Sequence, residues 1–150
     1  NALVADVVNT FRLKVESSGG SIRFAPDAED DQVFVDEMHF TNVIFNIMDN
    51  AVKYKRDDTP LSLTLTTANK AGNFVLTIAD NGIGIRREDL KKIFERFYRV
   101  HTGNRHDVKG FGLGLAYVKN VVTNLGGTIH AESEYGKGTT FIISLPTIKR

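Results

Sequence analysis

The side chains best suited to chemistry in this sequence fall into three short runs. GFGLG, residues 110–114, sets three glycines in five positions immediately ahead of a helical pattern. Unpaired backbone N–H groups at such a turn, with the positive end of a helix dipole behind them, suit a phosphate. On the stretch 36–55, Asn42, Asn46, Asp49, Asn50 and Lys53 share one sector at about 100° per residue, with aliphatic residues opposite. Asparagine is an indifferent helix former, so a stripe of asparagines invites an explanation beyond solvation. Carboxamide oxygens suit a hard cation such as Mg2+, which is typically held by one or two protein oxygens plus water and phosphate. Lys53 would add positive charge for a phosphate tail. The third run, DNGIGI at 80–85, closes a strand pattern. It reads either as an ordinary turn or as a place where glycines let backbone approach a flat ring. In that second reading the Asp80 carboxylate accepts from an exocyclic amine such as adenine N6, whereas guanine would present O6 and be repelled.

Two familiar phosphate readers do not fit. A P-loop needs G-x-x-x-x-G-K-[ST], which neither the 110–114 run nor GKGTT at 136–140 supplies. A dinucleotide-binding turn needs a strand directly before its glycines, and here a polar loop precedes Gly110.

Positioning these runs requires several elements. Leu3, Val7, Val8, Phe11 and Leu13 predict a first helix over 2–16, stopped by SSGG at 17–20. Short strands are expected at 21–25 and 32–35, either side of the acidic turn 26–31. The central helix, 36–55, gathers Phe40, Val43, Ile44, Ile47, Met48 and Ala51 on one side. Leu61, Leu63 and Leu65 alternate with polar residues, and Phe74, Leu76 and Ile78 follow a turn at 69–73, which predicts a hairpin with Asp80 where its second strand ends. A short helix is expected at 88–97. The polar stretch 99–109 then reads as a functional lid or a disordered loop. Leu115, Val118, Val122 and Leu125 mark a third helical face ended by Gly126 and Gly127, and strands at 128–133 and 139–145 close the chain. The order αββαββααββ departs from strict strand–helix alternation and predicts an α/β sandwich, with helices on one face of a mixed sheet.

Composition sets the outer limits. The 150 residues fit one domain, and 41% hydrophobic with 25% charged residues is enough to build a soluble core. A formal net charge of +1 lacks the basic excess of a nucleic-acid binder. The absence of cysteine excludes disulfides, zinc thiolates and thiol nucleophiles. No apolar run approaches the roughly 20 residues that cross a bilayer. The chain starts at Asn1, and a fragment of a longer protein is expected.

Together these runs resemble the catalytic ATP-binding domain of bacterial sensor histidine kinases, within the fold group shared with gyrase B, Hsp90 and MutL. NIMDNAVKY at 46–54 is similar to the N box of that family, DNGIGI at 80–85 to its G1 box, FERFYR at 94–99 to its F box, GFGLGL at 110–115 to its G2 box and GKGTTF at 136–141 to its G3 box. The resemblance covers nearly the whole chain in the family's order. It implies a two-layer α/β sandwich of a mixed, mostly antiparallel sheet with three main helices on one face and a mobile ATP lid between the F and G2 boxes.

The resemblance further implies ATP and Mg2+ as ligands. Asn50 would bind the metal, with Asn46 beside it near the metal and phosphates. Lys53 and Tyr54 would line the nucleotide site, Asp80 would take the adenine amine, Gly82 and Gly84 would shape the base pocket, and Ile85 and Thr140 would also belong to the cofactor-binding set. Arg99 would reach the γ-phosphate, and Gly110, Gly112, Leu113 and Gly114 would wrap the phosphates.

Hydrolytic members of the fold group carry glutamate where this chain has Asn46, which cannot take a proton at neutral pH, so phosphotransfer is expected and hydrolysis disfavoured. The alternatives are an ATPase of the same group or a non-catalytic nucleotide-binding interaction module. His39, His101, His106 and His130 lie outside the acceptor context H-[ED]-x-R-[TN]-P. The acceptor histidine and the dimerisation domain are therefore expected N-terminal to residue 1. Expected partners are that domain and a response regulator receiver domain, with no nucleic acid and no membrane contact by this domain. The expected location is the cytoplasmic part of a membrane-anchored sensor.

Overall fold

The computed structural model describes residues 2–17, 19–28, 37–53, 59–85, 90, 93–94 and 114–147. The elements are α1 (Ala2–Ser17), β1 (Ser21–Pro26), α2 (Glu37–Lys53), β2 (Ser62–Lys70), β3 (Asn73–Asp80), α3 (Gly114–Asn124), β4 (Thr128–Glu134) and β5 (Gly138–Pro146). The expected strand at 32–35, nearly all of the expected helix at 88–97 and the polar stretch 99–109 lie outside the described residues.

Glycine pairs terminate two of the helices by the same geometry. At the end of α1, Gly19 takes φ 84°, its N–H reaches the Glu16 carbonyl at 3.0 Å, and the Gly20 N–H reaches Val15 at 3.0 Å. At the end of α3, Gly126 takes φ 81°, with Gly126 N–H on the Thr123 carbonyl and Gly127 N–H on that of Val122, both at 3.0 Å. Such paired bonds satisfy carbonyls that a helix end leaves open, and the left-handed position favours glycine.

The five strands form one sheet in the order β1-β2-β3-β5-β4. Three of its four pairings are antiparallel, while β1 runs parallel to β2, Ser21 opposite Ser62. A parallel pair cannot be joined by a tight turn and needs a long crossover, which here contains α2. The β2–β3 hairpin closes through Ala71 and Gly72, with Lys70 opposite Asn73.

Alternation sets the two faces of the sheet. Leu63 and Leu65 on β2, Leu76 and Ile78 on β3, and Ile143 and Leu145 on β5 are all buried in one core with Val8, Ile44, Met48, Val118 and Val122 from the helices. Each such aliphatic side chain stabilises the fold by about 1.5–3 kcal/mol relative to exposure. On the opposite face the matching positions are Thr64, Thr66, Thr77 and Ser144, only half-buried. The architecture is the expected two-layer sandwich, one mixed sheet backed, among the described residues, by three helices.

Side-chain ties join the helices. Phe11 of α1 meets Phe45 of α2 edge to face with centroids 5.8 Å apart, and Lys14 Nζ lies 2.9 Å from Asp49 Oδ1. His39 Nδ1 of α2 and the Tyr117 hydroxyl of α3 are 2.8 Å apart. Among the described residues no helix is long and apolar enough to cross a membrane.

Candidate functional site

The helix-facing rows of β3 and β5 are apolar until their last positions. Phe74, Leu76 and Ile78 lead to Asp80, and Leu145, Ile143 and Phe141 lead to Thr139, with Asp80 and Thr139 directly opposite each other. An aspartate is thus brought to the end of an apolar ladder. Its Oδ1 accepts from the Gly82 N–H at 2.8 Å and the Thr139 N–H at 3.3 Å. Desolvation by burial pushes the Asp80 carboxyl above its ordinary range, opposed by these two backbone bonds. Oδ2 accepts nothing among the described residues, where no buried side-chain oxygen or nitrogen lacks a partner. Oδ2 therefore remains reachable from outside, and Asp80 borders a cavity of about 340 Å³ together with Glu132, Ser133, Glu134, Lys137, Gly138, Thr139 and Thr140.

Thr140 lies opposite Ala79, on the sheet face away from the helices, because neighbouring residues on a strand point to opposite sides. Thr139, buried and directly opposite Asp80, is the threonine on the helix-facing side. Counting back by twos from Leu145 through Ile143 and Phe141 would have found it.

Backbone interlocking holds Asp80 in position. The Gly136 N–H donates to the Ile83 carbonyl at 2.6 Å, and the Ile85 N–H donates to Ser133 Oγ at 2.7 Å. A Cβ on Gly84 would sit 2.4 Å from the Glu134 carbonyl oxygen, and one on Gly138 2.1 Å from that of Asp80. These glycines are required by the approach of the β4–β5 turn to the 80–85 loop, and Gly84 also has φ 77°. Gly82 is buried, and its described role is the N–H donated to Asp80. Asn81 is more than a turn residue: its Oδ1 accepts from the Ser62 N–H at 2.8 Å and its Nδ2 donates to the Pro60 carbonyl at 3.0 Å, tying the loop to the start of β2. Ser133, Gly138, Thr139 and Asn81 were not singled out by sequence reasoning, since only the folded register brings them to Asp80.

The α2 stripe divides into two parts. Asn42, Asn46 and Asp49 line a groove of about 350 Å³ against Thr10, Phe11 and Lys14 of α1. Asn46 Nδ2 donates to the Asn42 carbonyl at 2.9 Å, leaving its amide oxygen as the acceptor. Asn50, a little further around the helix, is half-buried, lines neither of these two cavities and enters no hydrogen bond among the described residues. Its carboxamide offers a neutral oxygen of the kind a hard cation takes. Lys53 ends α2, its side chain outside the described set. Tyr54, Arg99, Gly110, Gly112 and Leu113 also lie outside it, and Gly114 is the first residue of α3. Phe94 of the FERFYR run packs edge to face on Phe141, centroids 6.4 Å apart, with Lys119 of α3 over its ring. That contact joins the F-box and G3-box segments.

With this geometry in place, comparison with known proteins identifies the family. Residues 35–149 match the family described as histidine kinase-, DNA gyrase B-, and HSP90-like ATPase. The chain is 58% identical over 149 residues to the sensor protein RprX of Bacteroides fragilis, covering 99% of this chain and 29% of that protein. The nucleotide-free catalytic domain of histidine kinase ThkA superposes with a TM-score of 0.82 at 25% identity, covering 98% of this chain and 91% of that one. Full-length ShkA in complex with AMPPNP superposes with a TM-score of 0.83 at 26% identity, covering 99% and 30%. The chain spans less than a third of the length of its relative RprX. It belongs to the histidine kinase-, gyrase B- and HSP90-like ATPase family, as a catalytic ATP-binding domain of the sensor histidine kinase type.

Proposed function

We propose that this chain binds ATP with Mg2+ and transfers the γ-phosphoryl group to a histidine on a dimerisation domain of its parent protein, from which a response regulator takes it. The observation that carries the proposal is Asp80, half-buried at the end of an apolar ladder with Oδ1 fixed by two N–H groups and Oδ2 accepting nothing among the described residues. Such a carboxylate matches the amine edge of adenine. The AMPPNP bound by the structurally similar ShkA supports the same ligand class.

In this reading Asp80 and Thr139 orient the base, Ile85 and the 82–84 backbone flank it, and Lys53 and Tyr54 extend the site along the nucleotide. Gly110, Gly112, Leu113 and Gly114 give backbone N–H groups to the phosphates at the start of α3. Arg99 reaches the γ-phosphate. Asn50 holds Mg2+ with Asn46 beside it, and the metal, when bound, screens charge on the phosphate oxygens. The acceptor imidazole nitrogen forms a bond to the γ-phosphorus as the bond to the bridging oxygen breaks and ADP leaves. The domain then has mainly to position the reactants and neutralise charge. Asn46 cannot accept a proton, so no base for water stands at that position.

The test is to incubate the chain with ATP, Mg2+ and a separately supplied histidine-bearing dimerisation domain. Acid-labile phosphohistidine on that domain is the expected product. Phosphate release without transfer would make the chain an ATPase, and nucleotide binding with neither would make it a binding module. Either result overturns the proposal.

A further inference from the structure

We propose that Ser133 is a positioning residue that fixes the direction of the Thr139 hydroxyl, so that Asp80 and Thr139 present two acceptors side by side and select a 6-amino over a 6-oxo purine. The inference deepens the nucleotide reading above and rests on it. Ser133 Oγ meets three groups: the Gly138 carbonyl at 2.8 Å, the Ile85 N–H at 2.7 Å and Thr139 Oγ1 at 3.0 Å. A serine hydroxyl has one proton and two lone pairs. The Gly138 carbonyl can only accept, so it takes that proton. The Ile85 N–H can only donate, so it occupies one lone pair. The remaining lone pair can serve Thr139 only as an acceptor, and the Thr139 proton must point at Ser133.

The consequence lies on the other side of the threonine. With its proton committed, Thr139 Oγ1 can only accept from a ligand, as can the carboxylate of Asp80 directly opposite it on β3. A ligand edge facing both must supply N–H donors. A 6-amino group does, whereas a 6-oxo group meets acceptors on both sides. Were the Thr139 hydroxyl able to rotate, it would donate to the oxo group and part of the discrimination would vanish. Ser133 touches no ligand in this scheme and acts through the hydroxyl beside it.

The experiment measures the affinities of the chain for ATP and ITP by calorimetry in the presence of Mg2+. Wild-type protein should prefer ATP. Ser133→Ala should lower the ATP-to-ITP affinity ratio about tenfold, and Ser133→Thr, which keeps the hydroxyl, should restore it. A purely structural role would weaken both nucleotides together and leave the ratio unchanged, which would overturn the proposal. Thr139→Val provides a second arm should Ser133→Ala fail to fold: the ratio falls if Thr139 is a fixed acceptor and stays constant if its hydroxyl rotates. Wild-type protein that binds neither nucleotide would instead sink the nucleotide reading itself. Wild-type binding with unaltered ratios in the variants would sink only the role of Ser133.

Discussion

At the scale of single residues, Asp80 sets function against stability. Its carboxyl is raised above the ordinary value of 3.8, chiefly by desolvation. Below that ordinary value the group is protonated in both folded and unfolded chains. As pH rises through it towards the raised folded value, the unfolded chain ionises first, and the fold loses stability over that window. The ionised group at neutral pH is therefore a cost to the fold. Asp80→Asn keeps an oxygen for the Gly82 and Thr139 N–H groups while removing the charge. Nucleotide-free protein should melt at the same temperature or a few degrees higher, whereas ATP affinity should fall by at least about tenfold, since a charged hydrogen bond is worth about 1.5–3 kcal/mol. Thermal melting and calorimetric titration check the two halves separately. On the wild type, acidification through the raised pKa should weaken ATP binding as the carboxylate is neutralised. Asp80 was legible in the sequence because its chemistry is local: a carboxylate at a strand end before two glycines. Thr139 was not, because its value comes from lying opposite Asp80 on another strand.

At the scale of elements, the β2–β3 hairpin contains a mismatch between residue and conformation. Ala71 has φ 52° and Gly72 φ 81°, positive values at both central positions of a two-residue turn, where Asn-Gly is the favoured pair. A left-handed alanine costs roughly 1–2 kcal/mol. Ala71→Asn should raise stability by about 1 kcal/mol, visible as a melting temperature higher by about 2–4 °C for a domain of this size, with ATP binding unchanged because the turn lies at the opposite end of β3 from Asp80. An equal or lower melting temperature would contradict the turn geometry. The hairpins were legible from alternation alone, since each strand pairs with its sequence neighbour. The parallel β1–β2 pairing was not: α2 and the segments flanking it separate the two strands, and no periodicity in either strand reports its partner's direction.

At the scale of the whole molecule, the site divides between two chemistries on different elements, acceptors at the tips of β3 and β5 and carboxamides on α2. Separating them experimentally requires a variant that affects one and spares the other. Asn50→Ala should reduce Mg2+-dependent phosphotransfer to a supplied histidine-bearing domain by about 100-fold or more, while ATP measured without Mg2+ binds as in wild type. Full transfer by the variant would move the metal ligand elsewhere. This stripe was legible through its helical period, which groups Asn42, Asn46, Asp49, Asn50 and Lys53 together. Packing divides them, because α1 covers one edge: Lys14 pairs with Asp49 and the groove takes Asn42 and Asn46, while Asn50 lies further around. A helical wheel gives angles without saying which neighbouring helix covers which angle.

The meshing of carbonyls with glycines 84 and 138 has a practical implication for anyone designing compounds against this domain. Two segments seated so closely that neither tolerates a methyl group leave little room to shift against each other. Under the function proposed above, a small heterocycle seated between them would meet the same walls before and after phosphoryl transfer, and its affinity would not depend on where in the cycle it arrives.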